Sequence, residues 1–300
     1  MRVVLLGGSG FVGSSLSRHL AQGGHEVVVL SRNPARVRAV EGVSVWRWRP
    51  EMLPPLDGAD VVVNLAGESI AAGPWTRPRR RRIYNSRVET TRAVVRAIAG
   101  ALRGPGLLIN ASAVGYYGDA GDAVLGEDSP PGRDFLARVA SAWEEEALRA
   151  QDLGVRVALI RLGTVLGRGG ALSRMALPFR LGLGCVLGDG RQWFPWIHMA
   201  DVVGAIEHII VHEDLAGPLN LVSPGQVTME ELCQGLARAL HRPCRFRVPS
   251  GLMRLVLGEM SSLFLNSQRV RPDRLIAAGY QFRYQNLAEA LGEVFGAAKG

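Results

Sequence analysis

Three glycines, Gly7, Gly10 and Gly13, punctuate the stretch VVLLGGSGFVG. A run of β-formers precedes them and a helical pattern follows. At such a strand-to-helix turn, glycine lets the backbone bend sharply and approach a pyrophosphate, whose charge then rests on the helix N-terminus. A second β-forming run, EVVVL from Glu26, completes a βαβ unit and raises a weak glycine pattern to a dinucleotide-site signal. About 20 residues beyond the loop, an NAD-specific protein carries an acid for the ribose 2′-hydroxyl. Here the chain reads LSRNP, with Ser31 and Arg32 and no acid. A hydroxyl and a guanidinium suit a 2′-phosphate, so NADP(H) is the expected dinucleotide. The bland alternative for Arg32 is a surface arginine in an arginine-rich chain.

Holding this turn calls for a parallel sheet covered by helices, and the first half of the chain alternates accordingly. Strand candidates are RVVLL, EVVVL, VSVWRW from Val43, DVVVNLA from Asp60, GLLINAS from Gly106 and VRVALIRL from Val155. Helical spacing covers Phe11 to Gln22, Pro78 to Leu102 and Arg133 to Gln151. Beyond residue 165 the rhythm breaks into glycine-interrupted segments with shorter helices, such as Thr228 to His241 and Asn286 to Phe295. The expectation is a doubly wound α/β domain over residues 1–165 and a smaller mixed lobe over 166–300, partly returning to the sheet.

With 300 residues, 47% of them hydrophobic, the chain can build a sizeable core. Its formal charge of +8 admits nucleic acid, an anionic membrane or acidic small molecules as partners. Nearly all of the positive charge is arginine, spread along the chain, and the sole lysine is Lys299. The dense run RPRRRR, Arg77 to Arg82, reads either as an anion-binding patch or as the solvated first turns of a helix; its lack of interleaved aromatics favours the second, and no nucleic-acid partner is expected. Cys185, Cys233 and Cys244 have no metal-ligand spacing and read as reduced thiols in a cytosol-like compartment; no metal is expected. No apolar run reaches the roughly 18 residues of a membrane span, and Gly7 and Gly8 interrupt the N-terminal run too early for a secretory signal.

Several motifs together resemble the extended short-chain dehydrogenase/reductases: GGSGFVG, NLAGESI from Asn64, SRVETT from Ser86, SAVGYYGD from Ser112, LGTVLGRGGAL from Leu162 and WFPWIHMADV from Trp193. More narrowly, they are similar to its atypical branch labelled sugar-nucleotide epimerase-like or cell-division inhibitor. The tail SQRVRPDRLIAAGYQFRYQNLAEAL resembles that branch's C-terminal segment. The resemblance implies a Rossmann domain of about seven parallel strands. It also implies cofactor contacts from Gly7, Gly10, Phe11, Val12 and Gly13 at the pyrophosphate, and from Ser31 and Arg32 at the adenosine phosphate. Leu65, Ala66 and Gly67 would line the ribose side, and Ser86 stands where the family has a helix asparagine. Ala111, Ser112, Arg161, Gly163 and Val165 would surround the nicotinamide end, with Glu68 nearby.

In the wider superfamily a tyrosine moves the proton, a lysine four residues later lowers its pKa, and a hydroxyl orients the carbonyl; an unassisted tyrosine titrates near 10. Setting the acid of that helix on Glu144 puts Ala140 at the lysine and Leu136 at the tyrosine. Neighbouring registers give Ala137, Arg138, Ser141 or Ala142, and arginine cannot pass protons. Ala113 falls at the orienting hydroxyl unless the register slips to Ser112. The remaining catalytic candidates are Ser112, Tyr116 and Tyr117, and either tyrosine could instead pack over the nicotinamide. Trp75, Arg191, Trp193 and Trp196 are candidates for a substrate pocket, the arginine meeting an anion, or for the packing where the lobes meet. His198 is a candidate substrate contact or a buried hydrogen-bonding residue, and Asp201 is expected to cap the next helix. Two functions follow. One is an NADP(H)-dependent oxidoreductase or epimerase acting on an anionic small molecule, such as a nucleotide sugar, by a non-standard relay. The other is a non-catalytic NADP(H)-binding redox sensor. Many relatives dimerise through the helices matching Pro78 to Leu102 and Arg133 to Gln151, so a monomer or homodimer is expected.

Overall fold

The computed structural model describes residues 1–37, 40–49 and 56–296; Lys299 lies outside the described residues. Seven strands pair in parallel: β1 (Arg2–Leu6), β2 (Glu26–Ser31), β3 (Val43–Arg47), β4 (Val61–Asn64), β5 (Leu107–Ala113), β7 (Arg156–Leu162) and β11 (Gly217–Leu221). Their order is β11-β7-β5-β4-β1-β2-β3. The sequence reverses direction between β1 and β4, and ligands of open parallel sheets sit at that switch, outside the strands' carboxyl ends. Three short pairs accompany the sheet: β6 (Val124–Leu125) with β13 (Arg269–Val270), β8 (Thr164–Leu166) with β10 (Trp196–His198), and β9 (Gly184–Leu187) with β12 (Cys244–Val248).

The strands read as continuous Val/Leu/Ile runs because both faces are covered. Val3, Leu5, Val27 and Val29 pack on α1 (Phe11–Gln22), through Leu16 and Leu20, and on residues of the later helix 199–211. Val4, Leu6, Val28 and Leu30 share the opposite core with Val94 and Ile98 of α2 (Arg77–Ala99) and Ala147 of α3 (Phe135–Leu148). Local chemistry fixes the helix bounds: the Thr76 side chain caps α2 with Pro78 in its first turn, and Asp134 Oδ1 accepts the Ala137 N–H at 2.8 Å to start α3. The helix expected over Arg133 to Gln151 thus ends earlier, and a tight turn over Arg149–Leu153 replaces its last residues.

The boundary expected at residue 165 does not divide the sheet. After α4 (Gly170–Arg180), the chain returns through α5 (Met199–Val211) and adds β11 beside β7, pairing Gly217 with Ala158 and Leu221 with Leu162. A separate core forms around Leu172, Phe179, Phe194, Trp196 and α6 (Met229–Ala239), closed by Leu287 and Leu291 of the helix Leu287–Phe295.

Candidate dinucleotide cleft and its buried polar network

A cleft of about 1020 Å³ opens at the carboxyl ends of β1, β2 and β4 and is closed on one side by α2. Gly7, Ser9 and Gly10 line it beside Ser31, Arg32 and Asn33, the loop Leu65–Glu68, and Ser86. Gly7 and Gly10 with Ser31 and Arg32, read from spacing, and Leu65–Glu68 with Ser86, implied by the resemblance, thus line one cleft. The glycines divide their labour. Gly7 has φ +80°, and a Cβ there would lie 2.7 Å from the Leu65 carbonyl carbon; a Cβ on Gly13 would overlap the Gly7 carbonyl oxygen. Both serve close backbone approach. At Gly10 a Cβ would meet only the Gly7 oxygen, at 3.1 Å, so this position borders the cleft rather than the packing. Gly10 is also the N-cap of α1 and supplies no capping side chain, and the first turn holds no acid, leaving its N–H groups to an anion. The Phe11 ring points away and packs on Gly167, Gly169 and Gly170, a use of those glycines that spacing did not reveal.

The loop after β4 is held from below. Buried Asn64 donates to Thr91 Oγ1 at 2.9 Å and Asn110 Oδ1 at 2.7 Å, and its own Oδ1 accepts the Ala66 N–H. From the side, Ser86 Oγ accepts the Glu68 N–H at 3.0 Å and Arg87 donates to the Glu68 carbonyl. Burial lowers the Arg87 guanidinium to about 10, against the pull of Glu68. Arg79 pairs with the Glu68 carboxylate and also reaches the Ser69 carbonyl. The arginine run expected to be solvated is thus partly structural, and Arg77, Arg81 and Arg82 line the cleft. Sequence reading missed this because orientation around a helix is set by packing, not by charge density.

Near the expected nicotinamide end, the candidates form a closed network. Arg161 is 3% exposed and donates from Nε and Nη2 to the two oxygens of Glu144, each at 2.8 Å. It also donates to the Tyr117 hydroxyl at 2.9 Å and to the Glu127 carbonyl. Ser112 donates to Glu144 at 2.6 Å, and Tyr117 donates to Asn220 Oδ1 at 2.7 Å. Burial pushes the Tyr117 phenol up, while Arg161 and its hydrogen bonds oppose the shift. Burial alone would lower Arg161, but the Glu144 hydrogen bonds and charge outweigh it and hold it above the ordinary arginine value. As arranged, Ser112, Tyr117 and Arg161 spend their polar atoms on Glu144, Asn220, the Glu127 carbonyl and, for the last two, each other, whereas the sequence reading had them as candidates facing the nicotinamide end. Tyr116 differs: its ring lies over the Arg161 guanidinium at 3.6 Å, and its hydroxyl has no hydrogen bond among the described residues. The buried Glu144–Arg161 pair was legible only as an acid left behind by an absent relay.

The substrate-pocket candidates scatter. Trp75 donates to the Ile70 carbonyl and stands edge-on to Phe135. Trp193 donates to Asp122 and lies under Arg269, Trp196 is core, and the exposed Arg191 offers its N–H to Asp189. His198, a candidate for substrate contact or for a buried hydrogen-bonding residue, is buried, caps α5 by accepting the Ala200 N–H and pairs with Glu293 at 3.1 Å. Asp201, expected to be that cap, instead accepts the N–H groups of Arg283 at 2.6 Å and Tyr284 at 3.0 Å. Ala111 is buried in β5, Val165 sits in β8, and Gly163 gives room to the Pro195 carbonyl. No helix among the described residues is long and apolar enough to cross a membrane, and no cluster among them could hold a metal ion.

Residues 3–221 match the model of the NAD dependent epimerase/dehydratase family, and residues 248–294 match a domain of unknown function, DUF1731. Epimerase family protein YfhF of Bacillus subtilis is 38% identical over 298 residues, spanning 98% of both chains. The crystal structure of human epimerase family protein SDR39U1 (isoform 2) with NADPH superposes with a TM-score of 0.89 at 37% identity, covering 98% of this chain and 99% of that one. A nucleoside-diphosphate sugar epimerase from Corynebacterium glutamicum matches with a TM-score of 0.80 at 34% identity, covering 99% of this chain and 58% of that one. With its glycine turn, seven-stranded sheet and end-to-end relatives, this chain belongs to the NAD dependent epimerase/dehydratase family.

Proposed function

We propose that this chain binds NADP(H) at the β1–α1 turn and acts as an oxidoreductase or epimerase on an anionic small molecule of the nucleotide-sugar kind, without the tyrosine-x3-lysine relay. The observation that carries the reading is the glycine cradle opening into a cleft that also holds Ser31 and Arg32. Those residues fit a dinucleotide phosphate: Gly10 leaves the space, uncapped N–H groups of α1 face it, and a hydroxyl and a guanidinium replace the acid that would repel a 2′-phosphate. The human relative solved with NADPH supports the cofactor, and the name of the Corynebacterium relative supports the substrate class.

Bound NADP(H) would supply hydride chemistry at the nicotinamide. Gly7, Gly10, Phe11, Val12 and Gly13 would border the pyrophosphate, with the first-turn N–H groups of Phe11, Val12 and Gly13 as donors, since the Gly10 N–H is given to the Gly7 carbonyl. Leu65, Ala66, Gly67, Glu68 and Ser86 would wall the adenosine side, and Ala111, Gly163 and Val165 the nicotinamide side. Tyr116 is left as the proton donor, because the hydroxyls of Ser112 and Tyr117 are consumed. The same closure favours a second reading, a non-catalytic redox sensor: losing general acid–base help costs about 10²–10⁴-fold in rate.

The deciding experiment supplies purified protein with NADPH deuterated at the nicotinamide C4 and a pool of cell metabolites, read by mass spectrometry. Deuterium in a single metabolite, lost in a Gly10→Ala control, supports the enzyme and names its substrate. NADPH bound without transfer withdraws the reductase and favours the sensor.

A further inference from the structure

We infer that Arg77 and Arg81 of α2 form the second jaw of a phosphate clamp that faces Arg32, so that the adenosine 2′-phosphate is gripped from both walls of the cleft. The inference rests on the NADP(H) reading and assigns a specificity role to a helix that the glycine turn does not involve. The arginine run on α2 sorts by direction. Arg79 turns to Glu68 and Ser69, Arg80 pairs with Glu259 and lies over the Phe135 ring, and Arg82 stands 3.7 Å from Glu68. Arg77 and Arg81 are four residues apart and so share one helix face; both line the cleft with Ser31, Arg32 and Asn33.

Among the described residues, neither these two arginines nor Arg32 has a carboxylate within 4.0 Å. The lining acids do not balance them, since Glu68 is engaged by Arg79 and Glu89 by Arg92 at 3.0 Å. Like charges brought to one cleft repel unless an anion lies between them. A phosphate monoester, doubly charged and rich in acceptors, matches guanidinium groups arriving from two sides. The 2′-phosphate is the group of NADP(H) that NAD(H) lacks, so the jaw discriminates between the two.

Titration calorimetry on the wild type, on Arg32→Ala and on the double variant Arg77→Ala/Arg81→Ala tests the clamp, with NADPH, NADH and adenosine 2′,5′-bisphosphate as probes. The expected result is a loss of about 10- to 100-fold in affinity for NADPH and for the bisphosphate in the double variant, with NADH unchanged. A variant restoring charge, Arg81→Lys on the Arg77→Ala background, should recover part of the loss. Equal weakening of NADPH and NADH, or no weakening of NADPH, overturns the clamp while leaving the cofactor site intact. A wild type that binds no dinucleotide overturns the clamp and the NADP(H) reading together, an outcome the variants cannot mimic.

Discussion

Gly10 and Gly13 look alike in the motif, and their neighbours make them different. At Gly10 an added methyl group meets one carbonyl oxygen at 3.1 Å, so Gly10→Ala should stay folded while its methyl occupies the phosphate approach; calorimetry should show NADPH affinity falling about tenfold or more with a melting temperature near that of the wild type. Gly13→Ala should instead fail to give the native melt, because its methyl group overlaps the Gly7 backbone. The Glu144–Arg161 pair is buried at both ends. Arg161→Met leaves a carboxylate without its cation, and urea denaturation should report a loss of about 3–5 kcal/mol. Glu127 gives a prediction in pH. Burial raises its carboxyl, although the N–H groups of Asn220 and Arg274 oppose the shift. The protonated form is therefore favoured in the fold. Stability from this group is present below the unfolded value near 4.5 and is lost as pH rises through the folded value. Glu127→Gln keeps an acceptor oxygen and removes that loss, so its advantage in melting temperature should grow from pH 4 to pH 8; an advantage that shrinks would refute the assignment. The glycines and Ser31–Arg32 were legible because their meaning lies in short spacing. The network was not, since Ser112 and Glu144 are 32 residues apart and Tyr117 and Asn220 are 103 apart.

Helices were legible where capping is local. Phe11 to Gln22 and Leu287 to Phe295 run as their patterns imply, and Thr228 with Glu231 forms the box that starts α6. The start of α5 was misassigned because aspartate is the better general N-cap, whereas here β10 runs through His198 and hands its imidazole that task. Freed from capping, the Asp201 carboxylate clasps the strand-less stretch Arg283–Tyr284, and Tyr280 donates its hydroxyl to the Asp201 carbonyl at 3.0 Å. Asp201→Ala would leave two part-buried N–H donors without their acceptor, a cost of about 1–3 kcal/mol in a denaturant titration. Asp201→Asn retains one acceptor and should lose less.

The alternating strands and helices declared the doubly wound class, but not where its sheet ends. A five-residue strand rich in Gly and Pro, GPLNL, carries little β signal by itself, and pairing with β7 makes it β11. The region after residue 248 is tied to everything before it: Gln268 donates to the Val114 and Gly118 carbonyls, β13 pairs with β6, and Asn266 reaches Asp134. A chain cut after Val248 should therefore show no cooperative thermal transition and no NADPH binding, rather than a milder loss confined to substrate use.

The dinucleotide cleft draws every lining residue from positions 7–90, whereas the Arg161 network gathers partners as late as Asn220. On a ribosome these are separate events. The nucleotide pocket's walls leave the exit tunnel before the residues that lock β5 and β7 have been made, and synthesis runs at about 5–20 residues per second. A nascent chain thus spends several seconds with every cleft residue already made and the later ties still missing, so, like the chain cut after Val248, it should seat no nucleotide until those ties arrive.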